Sequence, residues 1–165
     1  MSGLPYVAPF HMGQLTINPS GSASGLEETP MRDRGWWLQD MSPLYGFPAQ
    51  KGENLDIPGM AGQRAYPMLN DQTTLVLPLY VIGAVDRNGT PNGTSPLQGL
   101  IENLADLRAN VHDPPPSGAT RAAKLEHPDG TIQTAQVQCR IEITRQTTAN
   151  AWGTFYLTIP DGWWT

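Results

Sequence analysis

From Thr73 the chain reads TTLVLPLYVIG, where Leu75, Leu77, Leu79 and Val81 alternate with Val76, Tyr80 and Ile82. Both faces of this extended segment are apolar, a pattern expected of a strand that protein covers on both sides. The run is far shorter than the roughly 20 apolar residues that span a bilayer, so no membrane is expected as its partner. Pro78 has no N–H to give to a ladder, which predicts a position at a sheet edge or a bulge at that point. An apolar edge offers a surface that a neighbouring subunit could cover, and a bulged core strand accounts equally well for the same residues.

After the turn-rich VDRNGTPNGT the period changes from two to three and four. In SPLQGLIENLADLRANV, Ser95 is a good N-cap, Pro96 suits the first helical position and Gln98 completes a Ser-x-x-Gln capping box. Leu97, Leu100, Ile101, Leu104, Leu107 and Val111 fall on one stripe, which predicts a helix face directed at the core, with Glu102, Asp106 and Arg108 outward. The prolines of HDPPPSG end it. Arg121–Glu126 and Thr131–Thr144 flank HPDG, whose Gly130 suits the left-handed position after a turn, so a hairpin is expected. In its second arm Val137, Cys139, Ile141 and Ile143 alternate with polar residues. In the last strand Phe155, Leu157 and Ile159 alternate with Trp152, Thr154, Tyr156 and Thr158.

Towards the N-terminus, Gly35–Met41 reads as a strand, and extended pieces near Leu55–Ile57 and Gln63–Tyr66 are separated by glycine turns. Residues 1–30 hold one short strand signal, Gln14–Asn18, followed by the connector PSGSASGLEETP. They are expected to form an arm outside a single domain of residues 31–165, and their removal to leave the fold intact. The class expected is mainly β with one helix (α+β).

Length and charge narrow the function. At 165 residues there is room for one domain of ordinary size. Ten Lys and Arg against 15 Asp and Glu give a net charge of −5 with no basic block, which argues against sequence-specific nucleic-acid binding. The single cysteine, Cys139, excludes an internal disulfide and reads as a buried structural thiol. The first residues, MSGLPYVAPFHMGQL, lack the basic start and apolar stretch of a signal peptide, so synthesis in a cytoplasm is expected. The glycosylation sequons at Asn88 and Asn92 are then better read as turn formers.

His11, His112 and His127 lack metal-ligand spacing, and no nucleophile elbow, P-loop or dinucleotide fingerprint occurs. Glu27, Glu28, Glu102, Asp106 and Asp129 each have an ordinary place in a connector, on a helix surface or in a turn. Neither catalysis nor a metal or cofactor is expected.

The doublets Trp36-Trp37 and Trp163-Trp164 are less ordinary. Neighbours in a strand face opposite sides, so one tryptophan of each pair enters the core and the other needs separate cover. Another chain, a folded-over loop and a stacked sugar would each supply it. With Leu75, Leu77 and Leu79, these four tryptophans are candidate subunit-interface residues.

The stretches RGWWLQDMSPLYGFPAQKGENLDIPGMAGQRAYP, LVLPLYVIGAVDRNGTP, LIENLADLRANV and LEHPDGTIQTAQVQ occur here in an order and spacing that resemble the distal tail protein family of long-tailed phages. The likeness is strongest to the short minor tail proteins of phages infecting actinobacteria, and it covers Gly35 to Ile159. It implies a tail-tube-like β-sandwich flanked by a single α-helix. It also implies assembly as a hexameric ring between the tail tube protein and the tip or baseplate proteins, in a virion built in the host cytoplasm. DNA would pass through the ring without sequence-specific binding. A tail tube or tail-terminator subunit is the neighbouring alternative, and a carbohydrate-binding β-sandwich is an alternative of another class.

Overall fold

The computed structural model describes residues 13–22, 25–48, 50–51, 55–56, 63–64, 69–70, 72–112 and 119–165. Along the chain these form β1 (Gln14–Ile17), β2 (Thr29–Pro30), β3 (Trp36–Leu38), a 3-10 turn (Ser42–Tyr45), β4 (Gln50–Lys51), β5 (Leu55–Asp56), β6 (Gln63–Arg64) and β7 (Leu69–Asn70). Then come β8 (Thr73–Ile82), α1 (Pro96–Asn110), β9 (Arg121–Glu126), β10 (Ile132–Gln146) and β11 (Asn150–Ile159). Over the described residues the protein is mainly β with a single helix, as its hydrophobic periods predict.

One curled antiparallel sheet of seven strands, in the order β2-β1-β9-β10-β11-β8-β3, forms the body. The 15-residue β10 links the two halves of this sheet. Residues 132–137 of β10 pair with β9, and from Gln138 onward the strand pairs with β11. The sheet curls until its outer strands meet through Met31, whose N–H donates to Leu15 O at 2.8 Å while its carbonyl accepts from Leu38 N at 3.0 Å. The indole Nε1–H of Trp36 adds a bond to Pro30 O. Leu15, Ile17, Leu125, Val137, Cys139, Phe155, Leu157, Leu77, Leu79, Val81 and Trp36 fill the interior. β4–β7 and β5–β6 are two small separate pairs, which gives Leu55 and Gln63 the extended neighbours expected of them. Ile57 and Tyr66 lie outside the described residues.

The hairpin between β9 and β10 follows the sequence closely. Gly130 has φ +88°, its N–H donates to His127 O, and Asp129 accepts from Thr131 N. At Pro78 the edge expectation is the one met. Gln39 N donates to Pro78 O and Ile82 N to Gly35 O, so the even residues of β8 turn their backbone groups towards β3. β3 pairs with Leu79–Val81, and Gln39, the next residue, makes the last bond, so the missing N–H of Pro78 falls at the point where that pairing runs out. The bulge lies elsewhere, between Ile143 and Arg145 of β10, opposite Gly153.

Three expectations are corrected. The described residues between 13 and 30 do not form an outlying arm: β1 lies inside the sheet, and Leu15 and Ile17 are fully buried. The short Leu15-Thr16-Ile17 run gave no long period, yet it completes the curl between β9 and β2. Residues 1–12 lie outside the described part. The helix face is also rotated: Leu100, Leu107 and Val111 are buried and Leu104 is half-buried, but Leu97 and Ile101 are 45% and 49% exposed. Gly99, Asn103 and Asn110 take the buried positions instead.

The reason lies at the end of β8. A Cβ on Gly83 would stand 2.9 Å from Leu100 N, and one on Gly99 would collide with the Gly83 carbonyl, so backbone meets backbone there. Asn103 Nδ2 donates to Ile82 O at 2.7 Å and Val85 O at 2.8 Å, pairing carbonyls that the sheet leaves open. Asn18 Nδ2 donates to Asn110 O at 2.6 Å at the far end of the helix. These polar anchors fix the roll of α1. Ser95 Oγ does accept from Gln98 N, while the Gln98 amide reaches forward to Glu102.

The third correction concerns β8. Its odd residues face the core, but on its other face Val76 is 56% exposed and Pro78 is exposed.

Candidate interaction surface

The outer face of β3, β8, β11 and β10 carries the least ordinary chemistry of the molecule. Register places Trp37, Tyr80, Trp152 and Arg145 in one row across the four strands. Trp37 meets Tyr80 edge-on at 5.0 Å, Tyr80 lies tilted against Trp152 at 5.3 Å, and the Arg145 guanidinium sits 4.3 Å above the Trp152 ring. A second row repeats the motif: Arg140 lies 4.1 Å above the Tyr156 ring, and Tyr156 is opposite Val76. Between the two rows stand Glu142, Thr154 and Pro78, and beyond them Thr158 and Thr74 share a hydrogen bond of 3.0 Å. Cross-strand aromatic pairs and cation–π contacts of this kind each contribute about 0.5–1.5 kcal/mol. They leave a firm surface that is half exposed.

Trp37 also lines an open cleft of about 440 Å³ with Arg32, Asp33, Arg34, Ile82, Val85 and Gly89. Burial holds the Arg34 guanidinium below its ordinary value, and Glu28 opposes that effect. On the helix side a smaller groove of about 300 Å³ runs between Leu104, Leu107, Arg108 and His112 of the helix and its exit, and Ile141, Ile143 and Gln146 of β10. His112 Nδ1 accepts from Ile141 N at 2.9 Å, so the imidazole caps a β10 donor at a level β9 does not reach.

The candidate interface residues divide. Trp36, Leu77 and Leu79 are at most 1% exposed and Trp164 is 5% exposed, so all four are spent on this chain's own interior. This corrects their assignment to a subunit interface. Trp37, Leu75 and Trp163 remain half-buried. Each tryptophan doublet thus divides between inside and outside. Trp163 borders a cleft of about 280 Å³ with Pro19, Ala122 and Gln136, and Thr165 exchanges backbone bonds with Thr134 of β10. Phe47, Val76, Tyr156, Leu97 and Ile101 were not assigned to a surface by sequence; Phe47 is 95% exposed.

Cys139 is buried. Asn92 is a turn former, its side-chain oxygen accepting from Thr94 N and Oγ1 and its amide donating to Gly83 O. Among the described residues, no three His, Cys, Asp or Glu side chains gather where a metal ion could sit, and no helix is long and apolar enough to cross a membrane. No protein-family model matches the chain, and no match was found among the curated proteins.

Proposed function

We propose that this chain is a structural subunit of a phage tail, of the distal tail type. It assembles as a hexameric ring at the end of the tail tube and joins the tube to the tip or baseplate proteins. DNA leaves through the ring without sequence-specific binding, in keeping with a net charge of −5. Its work is assembly rather than catalysis. The observation that carries the reading is the outer sheet face, where Val76, Trp37, Tyr80, Trp152 and Tyr156 form an aromatic and apolar surface that is half exposed. The mainly β body with one flanking helix is the architecture that the family resemblance leads one to expect.

Light scattering and negative-stain imaging of the purified protein test this. A ring near six times 18.0 kDa supports the proposal. Rings that stack into tubes assign the chain to the tail tube instead, and a strict monomer at every concentration counts against assembly by this subunit alone. The aromatic row also suggests a glycan platform. However, Arg145 and Arg140 already lie over the Trp152 and Tyr156 rings on which a sugar would stack, which favours assembly.

A further inference from the structure

The cleft beside Trp37 lies where the start of β3 meets the turn after β8, and its walls are held from behind. Gly35 O accepts from Ile82 N at 2.8 Å, and a Cβ on Gly89 would stand 2.5 Å from Asp33 O, so the two segments close backbone against backbone. The Asp86 carboxylate fixes the turn by accepting from Asn88 N, Thr90 N and Thr90 Oγ1 at 2.8, 3.0 and 2.7 Å. At about 440 Å³ the cleft falls within the roughly 300–1,000 Å³ usual for small-ligand sites. Ile82, Val85 and the half-buried Trp37 give it an apolar wall, and Arg32 and Arg34 bring positive charge to it.

Arg34 is the group that lacks an anion. Other arginines are engaged within the chain: Arg87 pairs with Glu27 and, at 3.5 Å, with Asp106, while Arg140 and Arg145 lie over the rings of Tyr156 and Trp152. Arg34 is half-buried, yet among the described residues no carboxylate stands within ion-pair distance of it. Glu28 acts on it only from farther away, and Ser20 Oγ donates to the Glu28 carboxylate. Asp33 is exposed and makes no ion pair with either arginine, although its charge weakens the positive field of the cleft. A cation that has given up part of its water without a close partner carries a cost that an incoming anion offsets. The guanidinium fork fits a carboxylate or a phosphate through two parallel N–H···O bonds.

We propose that this cleft binds an oxyanion, a carboxylate or a phosphate, carried on a flat apolar group. Arg34 takes the anion with Arg32 adding charge, and Trp37, Ile82 and Val85 take the apolar group. The site is complete in a single copy and does not depend on ring formation.

Nuclear magnetic resonance of the indole N–H groups reads binding, with the Trp37 signal assigned through Trp37→Phe. Phenyl phosphate and benzoate are the probes; inorganic phosphate lacks the apolar group and benzyl alcohol lacks the charge. Either aromatic anion is expected to shift the Trp37 signal saturably, with a Kd of the order of 1 mM, and both comparison compounds to bind at least about tenfold more weakly. Tighter binding of benzoate assigns the site to carboxylates, and tighter binding of phenyl phosphate assigns it to phosphates. Arg34→Gln should weaken binding about tenfold or more, whereas Arg145→Gln, over Trp152 in the same aromatic row, should leave it unchanged. Asp33→Asn should tighten binding about two- to threefold by removing a negative charge from the cleft. Asparagine tolerates the left-handed backbone of that position, φ +60°, and a gain in affinity is not a product of misfolding. No saturable shift from either anion up to about 10 mM would overturn the proposal. So would an Arg34→Gln chain that binds like the parent, an equal loss in Arg145→Gln, or comparison compounds that bind as tightly as the probes.

Discussion

Gly83→Ala tests the seat of the helix most directly. A methyl group there would lie 2.8 Å from the Pro96 carbonyl carbon and 2.9 Å from Leu100 N, where ordinary contact is 3.4–4 Å. Both atoms are backbone in the first turns of α1, so no change of rotamer relieves the overlap. α1 has to retreat, and overpacking of this kind costs about 1–3 kcal/mol. The retreat also stretches the Asn103 bonds to Ile82 O and Val85 O from 2.7 and 2.8 Å. Weakening these two part-buried hydrogen bonds adds about 1 kcal/mol each. The sum, about 3–5 kcal/mol, is a large part of the 5–15 kcal/mol by which a domain is usually stable.

Urea denaturation followed by tryptophan fluorescence and far-ultraviolet circular dichroism reads this as a lower midpoint with an unchanged slope. At about 1–3 kcal/mol per molar urea the midpoint falls by roughly 1–5 M. Gly93→Ala is the control, since a Cβ there meets nothing within 4 Å; it should stay within about 0.5 kcal/mol of the parent. A Gly83→Ala loss below about 1 kcal/mol would refute the close contact and, with it, the explanation of the helix roll.

Other outcomes follow from burial and charge. Ile101→Lys, on the solvent side of α1, should change folding stability by no more than about 0.5 kcal/mol, whereas Leu107→Ala in the core should lose about 2–5 kcal/mol in the same assay. Equal losses would mean that the stripe expected from sequence, and not the rotated one, faces inward. Deleting residues 1–30 removes β1 and β2 with the buried Leu15 and Ile17, so the truncated chain should lose its cooperative melt; an intact melt would return those residues to the status of an arm. Asp86, Asp40 and Asp129 are held below their ordinary value of 3.8, chiefly by the Thr90 hydroxyl, the Ser42 hydroxyl and the Thr131 N–H respectively. Their contribution is complete above that value and is lost as pH falls through it, because the unfolded chain then binds more protons. Melting temperature should therefore drop between about pH 5 and pH 3, and Asp86→Asn should flatten part of the slope; a melt that holds or rises over that range contradicts this assignment.

The strands of the second half were legible because alternation and turn chemistry agree there. Gly130 and Asp129 mark the hairpin, and Phe155, Leu157 and Ile159 mark the inner face. Ser95 and Pro96 mark the helix start equally well. The roll of the helix was not legible, since Leu97 and Ile101 satisfy the period as well as Leu100 does. What decides between them is a tertiary contact, Gly83 on Gly99, and two carbonyls that only Asn103 reaches. The strand at Gln14–Asn18 was signalled, but its place inside the sheet was missed for a related reason: four residues carry little period, and their place depends on pairing with Lys124 and its neighbours more than a hundred positions away. The outer row was half visible. Trp152 and Tyr156 fell on the correct face, but their alignment with Tyr80, Trp37 and Arg145 is a matter of register between strands, which no single segment encodes.

Pro78 is the feature with the widest consequence. Below the end of β3, the even residues of β8 turn their backbone groups towards a side where no described strand pairs with them, and the side chain of Val76 there is apolar and exposed. A rim of that kind is a template on which further chains can add strand by strand into fibrils. Pro78 stands at the boundary of that rim: its carbonyl already accepts from Gln39 N, and it has no N–H to give to a further strand. The side chains of this strand can therefore stay apolar near the surface while its backbone offers an added strand one donor fewer.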